Sequence, residues 1–342
     1  MKIVILSPKK NLSGGQRVIS IYASYLSRKG YEVEVVCFDI PNLSKLEKIK
    51  SVFTKKKEIL GHYDSYNIKH ETFNKLNVEA VHKLQSADIA IATFWTTAII
   101  LNEVKLKAKK FYLIQHDEGY MFGEKAEETY SYDFKHIYIS DWIRDRIITR
   151  HPEADGTVIN NAIDNYDYFV KREKPKFLTV GTLWAGDTIK GGDIAIEVIK
   201  KLKKEVSLKF VVFGAVKPDA HYMKFIDEFY LTPSQNEICR IYSMCTVWLF
   251  TSRFEGYGLP LLEAYREGTL LIATKTGMAE HVIADNDYLV EIDDVESIVN
   301  KVKLVNSLTD NDWKKYSHTC QTMVKKLSWD VNVEKLVEFI TY

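Results

Sequence analysis

The chain has 342 residues, of which 46% are hydrophobic and 12% aromatic, and its formal net charge is +1 at pH 7. This length suits two domains of about 150–180 residues, and the apolar content can fill two cores, which excludes a globally disordered chain. A net charge near zero gives no reason to expect a nucleic acid partner, although residues 1–57 carry twelve Lys/Arg against four Asp/Glu.

Neither the cysteines nor the apolar segments indicate a secreted or membrane-spanning chain. The four cysteines form no Cys-x-x-Cys pair and no Cys/His cluster with zinc spacing, so reduced and mostly buried thiols are expected. Residues 1–6 are too short for the apolar core of a signal peptide, and no run approaches the roughly 20 apolar residues of a membrane span. We therefore expect a cytoplasmic location.

Residues 2–38 predict a strand, a glycine-containing loop, a helix and a second strand. An apolar run at 2–6 precedes Gly14 and Gly15, and apolar residues then recur at helical spacing. Open α/β sheets bind ligands at the carboxyl ends of their strands, which makes both glycines candidate ligand-binding residues. A structural turn is the alternative, and the Gly-x-Gly-x-x-Gly dinucleotide fingerprint is absent.

The next segment, residues 43–60, combines six lysines with apolar residues at helical spacing. The pattern predicts an amphipathic basic helix, which can lie on an anionic membrane surface. A solvated surface helix accounts for the same pattern without a membrane.

Two further apolar strands, at 87–94 and 110–115, each lead into a polar cluster. The second cluster is His116-Asp117-Glu118-Gly119, at a strand end where α/β enzymes place chemistry. His116 can donate a hydrogen bond to a substrate hydroxyl or stabilise developing positive charge. The alternative is a loop histidine bonded to a neighbouring carboxylate.

The alternation of strands and helices restarts near residue 177, after a charged stretch that contains Pro175. We place the hinge at 160–175. The sequence therefore predicts an α/β protein in three parts, which are an N-terminal domain at 1–165, a C-terminal domain at 175–325 and a final helix at 326–342.

In the second half, a predicted strand at 177–181 and a loop lead to Lys190, which directly precedes two glycines and a helix. A lysine in a strand-to-helix loop can reach a phosphate group as a point charge. Because the chain has 47 Lys and Arg residues, a solvated surface lysine is a serious alternative.

Residues 246–268 carry the most specific pattern. An apolar strand precedes a loop and a helix whose first turn we place at Pro260, and the backbone amides at this helix N-terminus favour an anion; they belong to Gly256, Tyr257, Gly258 and Leu259. Glu255 enters the loop, and Glu263 is predicted in the first helical turn. Carboxylates accept hydroxyl hydrogen bonds, so a sugar nucleotide, with hydroxyls on both sides of a diphosphate, would satisfy both. An ordinary strand–turn–helix connection is the alternative.

The run Glu-Gly-Tyr-Gly-Leu-Pro-x-x-Glu-Ala at 255–264 resembles the Glu-x7-Glu signature of glycosyltransferase family 4, and Ser252 and Gly268 match as well. The resemblance covers nearly the whole chain and is strongest at 177–280. It implies a GT-B fold, in which two Rossmann-like domains with parallel sheets face a cleft and the final helix crosses back to the first domain. Residues 93–150 also resemble bacterial rhamnan-type transferases within the family.

The resemblance implies a retaining enzyme that transfers a hexosyl or deoxyhexosyl group from a nucleoside diphosphate sugar. The acceptor would be a carbohydrate or lipid-linked molecule in cell-envelope polysaccharide synthesis. The resemblance to a GT-B family also implies that neither a metal nor another cofactor is expected.

Individual roles follow from the same resemblance. Glu255 would bind donor sugar hydroxyls and Glu263 the ribose, whereas Lys190 and the amides of residues 256–259 would stabilise the leaving diphosphate. His116 would act on the sugar side, and the loop with Gly14 and Gly15 would face the interdomain cleft.

One position departs from the family pattern, because Thr182 stands where an arginine usually follows the strand glycine. A cation on the diphosphate is then missing or supplied elsewhere, and Arg253 is near in sequence. Two alternatives to a transferase stay open, a non-catalytic sugar-nucleotide-binding partner of a transferase complex and a GT-B epimerase. Peripheral contact with the inner face of the membrane through 43–60 is the alternative to a purely cytoplasmic location.

Overall fold

The computed structural model describes residues 1–39, 61–163, 172–283 and 288–342. The basic helix predicted at 43–60 lies outside the described residues, as does part of the hinge predicted at 160–175. No helix within the described ranges is long and apolar enough to cross a membrane.

The chain divides into two compact units. The first consists of Met1–Asn161 together with Asp330–Tyr342, and the second of Ala162–Trp329. The division after residue 161 falls inside the stretch where the sequence places the hinge.

The first unit is built on a seven-stranded sheet. Its strands are β1 (Lys2–Pro8), β2 (Glu32–Phe38), β3 (His70–Phe73), β4 (Ile89–Ala92), β5 (Lys109–Ile114), β6 (Lys135–Tyr138) and β7 (Gly156–Val158). They lie in the order β3-β2-β1-β4-β5-β6-β7, and all neighbours pair in parallel. The strand order reverses between β1 and β4, so the loops that follow these two strands flank a topological switch point.

Helices connect these strands. They are α1 (Gly14–Arg28), α2 (His62–Ser65), α3 (Val78–Gln85), α4 (Trp95–Glu103), α5 (Glu118–Phe122), α6 (Glu124–Glu127) and α7 (Asp141–Ile148), with 3-10 turns at Glu128–Ser131 and Pro152–Ala154. Because parallel strands are covered on both faces, they read as continuous apolar runs. Ile3, Val4 and Leu6 of β1 are accordingly buried completely.

The second unit repeats this arrangement with six strands. They are β8 (Thr179–Trp184), β9 (Lys209–Gly214), β10 (Glu228–Leu231), β11 (Val247–Phe250), β12 (Leu270–Thr274) and β13 (Leu289–Val290). Their order is β10-β9-β8-β11-β12-β13, again with parallel pairing throughout. The switch point of this sheet lies between β8 and β11. Two Rossmann-like sheets confirm the predicted α/β class.

The helices of the second unit are α8 (Gly192–Leu202), α9 (Ala220–Met223), α10 (Gln235–Met244), α11 (Leu259–Arg266), α12 (Ala279–Val282), α13 (Val295–Ser307) and α14 (Asp310–Val324). The final helix, α15, spans Trp329–Thr341, and residues 330–342 belong to the first unit. Its Phe339 packs edge-on against Phe111 of β5, with ring centroids 5.9 Å apart. The side-chain amide of Asn332 donates to the backbone carbonyl of Asn160 at 2.5 Å.

Candidate functional site

Lys190 and Glu255 lie on the two loops that flank the switch point of the second sheet. The first loop connects β8 to α8, and the second connects β11 to α11. β8 and β11 are direct neighbours in the sheet. Sheets with this strand order bind ligands in the crevice outside these carboxyl ends. The strand–loop–helix arrangement predicted around Glu255 is confirmed.

The two side chains form an ion pair. Nζ of Lys190 lies 2.7 Å from Oε2 of Glu255, and Ser252 Oγ donates to Oε1 of the same carboxylate at 2.8 Å. The Glu255 side chain is only 5% exposed, whereas that of Lys190 is 28% exposed. A buried carboxylate thus has both oxygens engaged, and its cation remains within reach of a ligand from solvent.

The two loops are interlocked through Gly191. Its φ is +64°, and an added Cβ would lie 1.8 Å from the carbonyl oxygen of Thr251. In turn, Thr251 Oγ1 donates to the carbonyl of Gly191 at 2.7 Å. Only glycine allows this approach, since it combines a left-handed backbone with the absence of a side chain. Gly191, the residue after Lys190, therefore holds the loop between β8 and α8 against the loop between β11 and α11.

Gly258 begins α11 in a left-handed conformation, with a φ of 97° and a ψ of 53°. Leu259 is then the first helical residue and Pro260 the second, so the helix begins one residue earlier than the sequence predicts. The backbone amide of Leu259 lies in the first helical turn, so no carbonyl of the helix is placed to accept a hydrogen bond from it. Tyr257 is held by its carbonyl, which accepts from the amide of Met278 at 3.1 Å.

The predicted position of Glu263 in the first helical turn is wrong. Because α11 begins at Leu259, Glu263 is the fifth helical residue and lies in the second turn. Its side chain is buried, and Oε2 accepts from the hydroxyl of Tyr242 on α10 at 3.0 Å. The second carboxylate of the signature is therefore also paired with a hydrogen-bond donor.

Thr182 does not occupy the first loop position after the strand. β8 extends to Trp184, so Thr182 lies within the strand, where its register partner on β11 is Leu249. Its hydroxyl is buried and donates to the carbonyl of Leu249 at 3.0 Å. This position therefore joins the two strands of the switch point and supplies no charge to the loop.

Arg253 is held by two carboxylates on other segments of the second unit. It donates to both oxygens of Asp193, at 2.9 and 2.8 Å, and its Nε lies 2.7 Å from Asp293. Of Thr182, Lys190 and Arg253, Lys190 is the one that forms an ion pair with Glu255.

The remaining predicted residues, Gly14, Gly15 and His116, belong to the first unit. Ser13 caps α1 by accepting from the amide of Gln16, which places both glycines at the beginning of the helix. A Cβ added to Gly15 would lie 3.3 Å from Oε1 of Gln115, the residue before His116. The glycine loop and the loop after β5 are therefore adjacent at the carboxyl edge of the first sheet.

Sequence reasoning missed the chemistry of Glu118, two residues after His116. The side chain is fully buried, and Oε2 accepts from the amide of Trp95 at 2.5 Å and from the hydroxyl of Tyr112 at 2.6 Å. Oε1 has no hydrogen-bond partner among the residues that the structure describes. Burial, with a smaller contribution from neighbouring Asp117, raises the pKa of Glu118 to about 8.

Two buried groups with opposite pKa shifts give the stability a specific pH dependence. Glu118 holds its proton more tightly in the folded chain, so its contribution to stability falls as the pH rises from its usual pKa of 4.5 to about 8. Burial lowers the pKa of His136 from 6.5 to about 4, so stability from this group rises between those pH values. The two effects oppose each other below about pH 6.5, and the Glu118 effect is the larger one between pH 6.5 and 8.

We therefore expect the free energy of unfolding to fall by about 1 kcal/mol between pH 6.5 and 8, because the slope of ~1.4 kcal/mol per pH unit halves as Glu118 titrates near pH 8 and His136 opposes it near pH 6.5. Glu118→Gln, which stays neutral, should remove this fall, whereas Glu124→Gln on the exposed surface should leave it unchanged. Urea unfolding at both pH values measures the difference. An equal fall in wild type and Glu118→Gln would contradict the assignment.

Comparison with known proteins gives a match between part of the chain and one family model. Residues 166–319, a little under half of the chain, match the family model described as Glycosyl transferases group 1. None of the curated proteins compared with the chain matches it.

Several solved structures share the fold of the whole chain. The structure is similar to HepE of Anabaena in complex with UDP-glucose, with a TM-score of 0.77 and 15% identity over 100% of this chain and 99% of that one. It is also similar to a TarM variant of S. aureus in complex with Fondaparinux, alpha-GlcNAc-glycerol and UDP, with a TM-score of 0.73 and 15% identity over 100% of both chains. Sucrose-phosphate synthase of Thermosynechococcus elongatus gives a TM-score of 0.74 and 13% identity over 100% of this chain and 98% of that one. Residues 166–319 therefore resemble group 1 glycosyl transferases, in a chain that has the two-domain GT-B fold of these solved structures.

Proposed function

We propose that this protein is a retaining glycosyltransferase that moves a hexosyl or deoxyhexosyl group from a nucleoside diphosphate sugar to a carbohydrate or lipid-linked acceptor. The observation that carries the proposal is the Lys190–Glu255 pair at the switch point of the second sheet. The pair places a cation, which can bind a diphosphate, beside a carboxylate, which can bind hydroxyls. In a sugar nucleotide the diphosphate and the sugar hydroxyls are likewise adjacent.

The proposed chemistry is electrostatic. As the bond between the anomeric carbon and the diphosphate breaks, the same carbon bonds to the acceptor oxygen, and the acceptor proton passes to the departing diphosphate. The electron pair of the broken bond stays on the diphosphate, where Lys190 and the amides of residues 256–259 stabilise the charge. Preorganised donors of this kind supply the largest single term in many enzymes. No metal or other cofactor takes part in this proposal. Gly14, Gly15 and His116 keep the roles predicted from the sequence.

Glu263 is proposed to bind the ribose, as the sequence resemblance implies. In the donor-free protein its Oε2 already accepts from the hydroxyl of Tyr242. A carboxylate oxygen has two lone pairs and can accept a ribose hydroxyl beside the tyrosine. Tyr242 would then orient the carboxylate for the nucleotide.

Cell-envelope polysaccharide synthesis in the cytoplasm is the proposed setting. The lysine-rich segment at 43–60 supports contact with the inner face of the membrane on the basis of the sequence alone. Co-sedimentation with vesicles, with and without anionic lipid, tests this contact. Binding to neither kind of vesicle would remove the membrane from the proposal.

A second candidate function is a non-catalytic sugar-nucleotide-binding partner of a transferase complex. Two observations favour it. Thr182 is an uncharged residue with a buried hydroxyl, and Arg253 is held by two carboxylates, so neither supplies the diphosphate with a second cation beside Lys190. With fewer cations near the leaving diphosphate, its negative charge is less stabilised, which favours donor binding without transfer. A GT-B epimerase remains the third candidate.

Release of nucleoside diphosphate from a panel of sugar nucleotides, with EDTA present, distinguishes these functions. The panel begins with UDP-glucose, which is bound in the HepE structure. A transferase should release diphosphate slowly from one donor, faster with an acceptor, with no effect of EDTA and with complete loss in Glu255→Ala. Donor binding without release supports the non-catalytic partner, and conversion of the sugar without acceptor supports the epimerase. No binding of any donor would contradict all three.

A further inference from the structure

Arg253 connects three segments of the second unit. It lies in the loop after β11, two residues before Glu255. Its guanidinium binds Asp193, the second residue of α8, and Asp293, in the turn between β13 and α13. Its backbone amide donates to the carbonyl of Ile189 at 2.7 Å, and its Nη1 also donates to the carbonyl of Thr188.

The geometry of these contacts requires a guanidinium. Two parallel hydrogen bonds join Nη1 and Nη2 to the two oxygens of Asp193, while Nε is directed at a different carboxylate. A lysine ammonium cannot reproduce a planar fork with a third donor on its other side. Partial burial acts to raise the pKa of Asp193, but the hydrogen bond and charge of Arg253 outweigh it and lower that pKa.

These contacts fix the Lys190 loop at both of its ends. Thr188 and Ile189 precede Lys190, and Asp193 follows it by three residues. Every one of these residues is held by Arg253, and Glu255 lies two residues further along the same loop as Arg253. We call Arg253 and its partners Asp193 and Asp293 the clamp. The 2.7 Å distance between Lys190 Nζ and Glu255 Oε2 is set within loops that this clamp holds, although the clamp contains neither residue.

We propose that Arg253 is a positioning residue that holds the Lys190 loop against the Glu255 loop and does not itself bind the diphosphate. Its catalytic consequence rests on the proposed glycosyltransferase function. The position of Lys190 itself can be measured without any activity, so the clamp and the function can fail separately.

The first test measures the acylation rate of the Lys190 amine by mass spectrometry in the donor-free protein. Glu255→Gln, which removes the ion-pair partner, sets the rate expected for a released lysine. Arg253→Lys and Asp193→Asn should each raise the rate at least severalfold toward that value. Arg144→Lys is the matched control, since Arg144 makes two hydrogen bonds to Asp155 in the first unit, at 2.9 and 2.7 Å. An unchanged rate in both clamp variants, with an unchanged melting temperature, would overturn the proposal.

The second test compares diphosphate release in two backgrounds. Arg253→Lys should lower turnover roughly tenfold in the wild-type background, because misplaced groups lose catalytic efficiency steeply. In the Lys190→Ala background the same change should have less than a twofold effect, since Arg253 acts through Lys190. Equal losses in both backgrounds would mean that Arg253 contacts the donor directly and would overturn the proposal. If the wild-type protein releases no diphosphate from any donor, the proposed function fails, and the acylation rates still decide the role of Arg253.

Discussion

Lys190→Ala is expected to lower the turnover of the proposed transferase about 100-fold. The change removes the cation that stabilises the leaving diphosphate, and loss of one preorganised donor costs roughly 3 kcal/mol of transition-state stabilisation. It also leaves the buried carboxylate of Glu255 with Ser252 as its remaining hydrogen-bond partner among the residues that the structure describes. Initial rates of diphosphate release at saturating donor measure the effect.

A matched lysine in the same unit separates this effect from a general loss of an ion pair. Lys203 is 29% exposed and its Nζ lies 2.7 Å from Asp227, so the lysine exposure and the ion-pair distance match those of Lys190, although Asp227 is more exposed than Glu255. Lys203→Ala should retain turnover within twofold, because the pair lies at the end of α8 that is remote from the loops. A loss of less than tenfold in Lys190→Ala would remove Lys190 from the proposed site.

Gly191→Ala should destabilise the second unit by roughly 3 kcal/mol or more. A left-handed backbone costs about 1–2 kcal/mol for a residue with a Cβ, and steric overpacking adds about 1–3 kcal/mol. Here the added methyl group would lie 1.8 Å from the carbonyl oxygen of Thr251, which is backbone and cannot turn away. Moving the two loops apart also separates Lys190 from Glu255, so activity should fall with stability. Urea unfolding and diphosphate release measure the two effects.

Gly186→Ala is the control for the backbone contribution. Its φ is +84°, but the nearest atom to an added Cβ is 3.4 Å away, in the side chain of Val216. This variant should lose only about 1–2 kcal/mol, the cost of the left-handed conformation. Equal destabilisation by the two substitutions would show that the loops do not approach each other at Gly191 as closely as the structure describes.

The sequence predicts the alternation of strands and helices well because those signals are local. Each apolar strand, glycine loop and amphipathic helix is encoded within about ten neighbouring residues, and the predicted elements around Glu255 are found in the structure. Element ends are less local. Thr182 lies inside β8 because β9 continues to pair with this strand as far as Trp184. The helix α11 begins at Leu259, directly after Gly258, whose positive φ keeps that glycine itself outside the helix.

The partners within the site could not be predicted from local patterns. Lys190 and Glu255 are 65 positions apart, and Arg253 and Asp193 are 60 positions apart. Whether such side chains meet depends on the strand order, which brings the loops after β8 and β11 together, and on side-chain direction. The sequence identified both candidate residues of the pair as site residues without indicating that they contact each other.

The contact between Lys190 and Glu255 has a consequence for how the proposed enzyme would exchange product for substrate. A free nucleoside diphosphate offers the charge that draws Lys190 away but lacks the sugar hydroxyls that would replace it beside Glu255. A buried acceptor left without a donor costs about 1–3 kcal/mol, so spent nucleotide should bind more weakly than a nucleotide that still carries its sugar. In the empty site the two side chains neutralise each other, which favours departure of the product and limits inhibition by it.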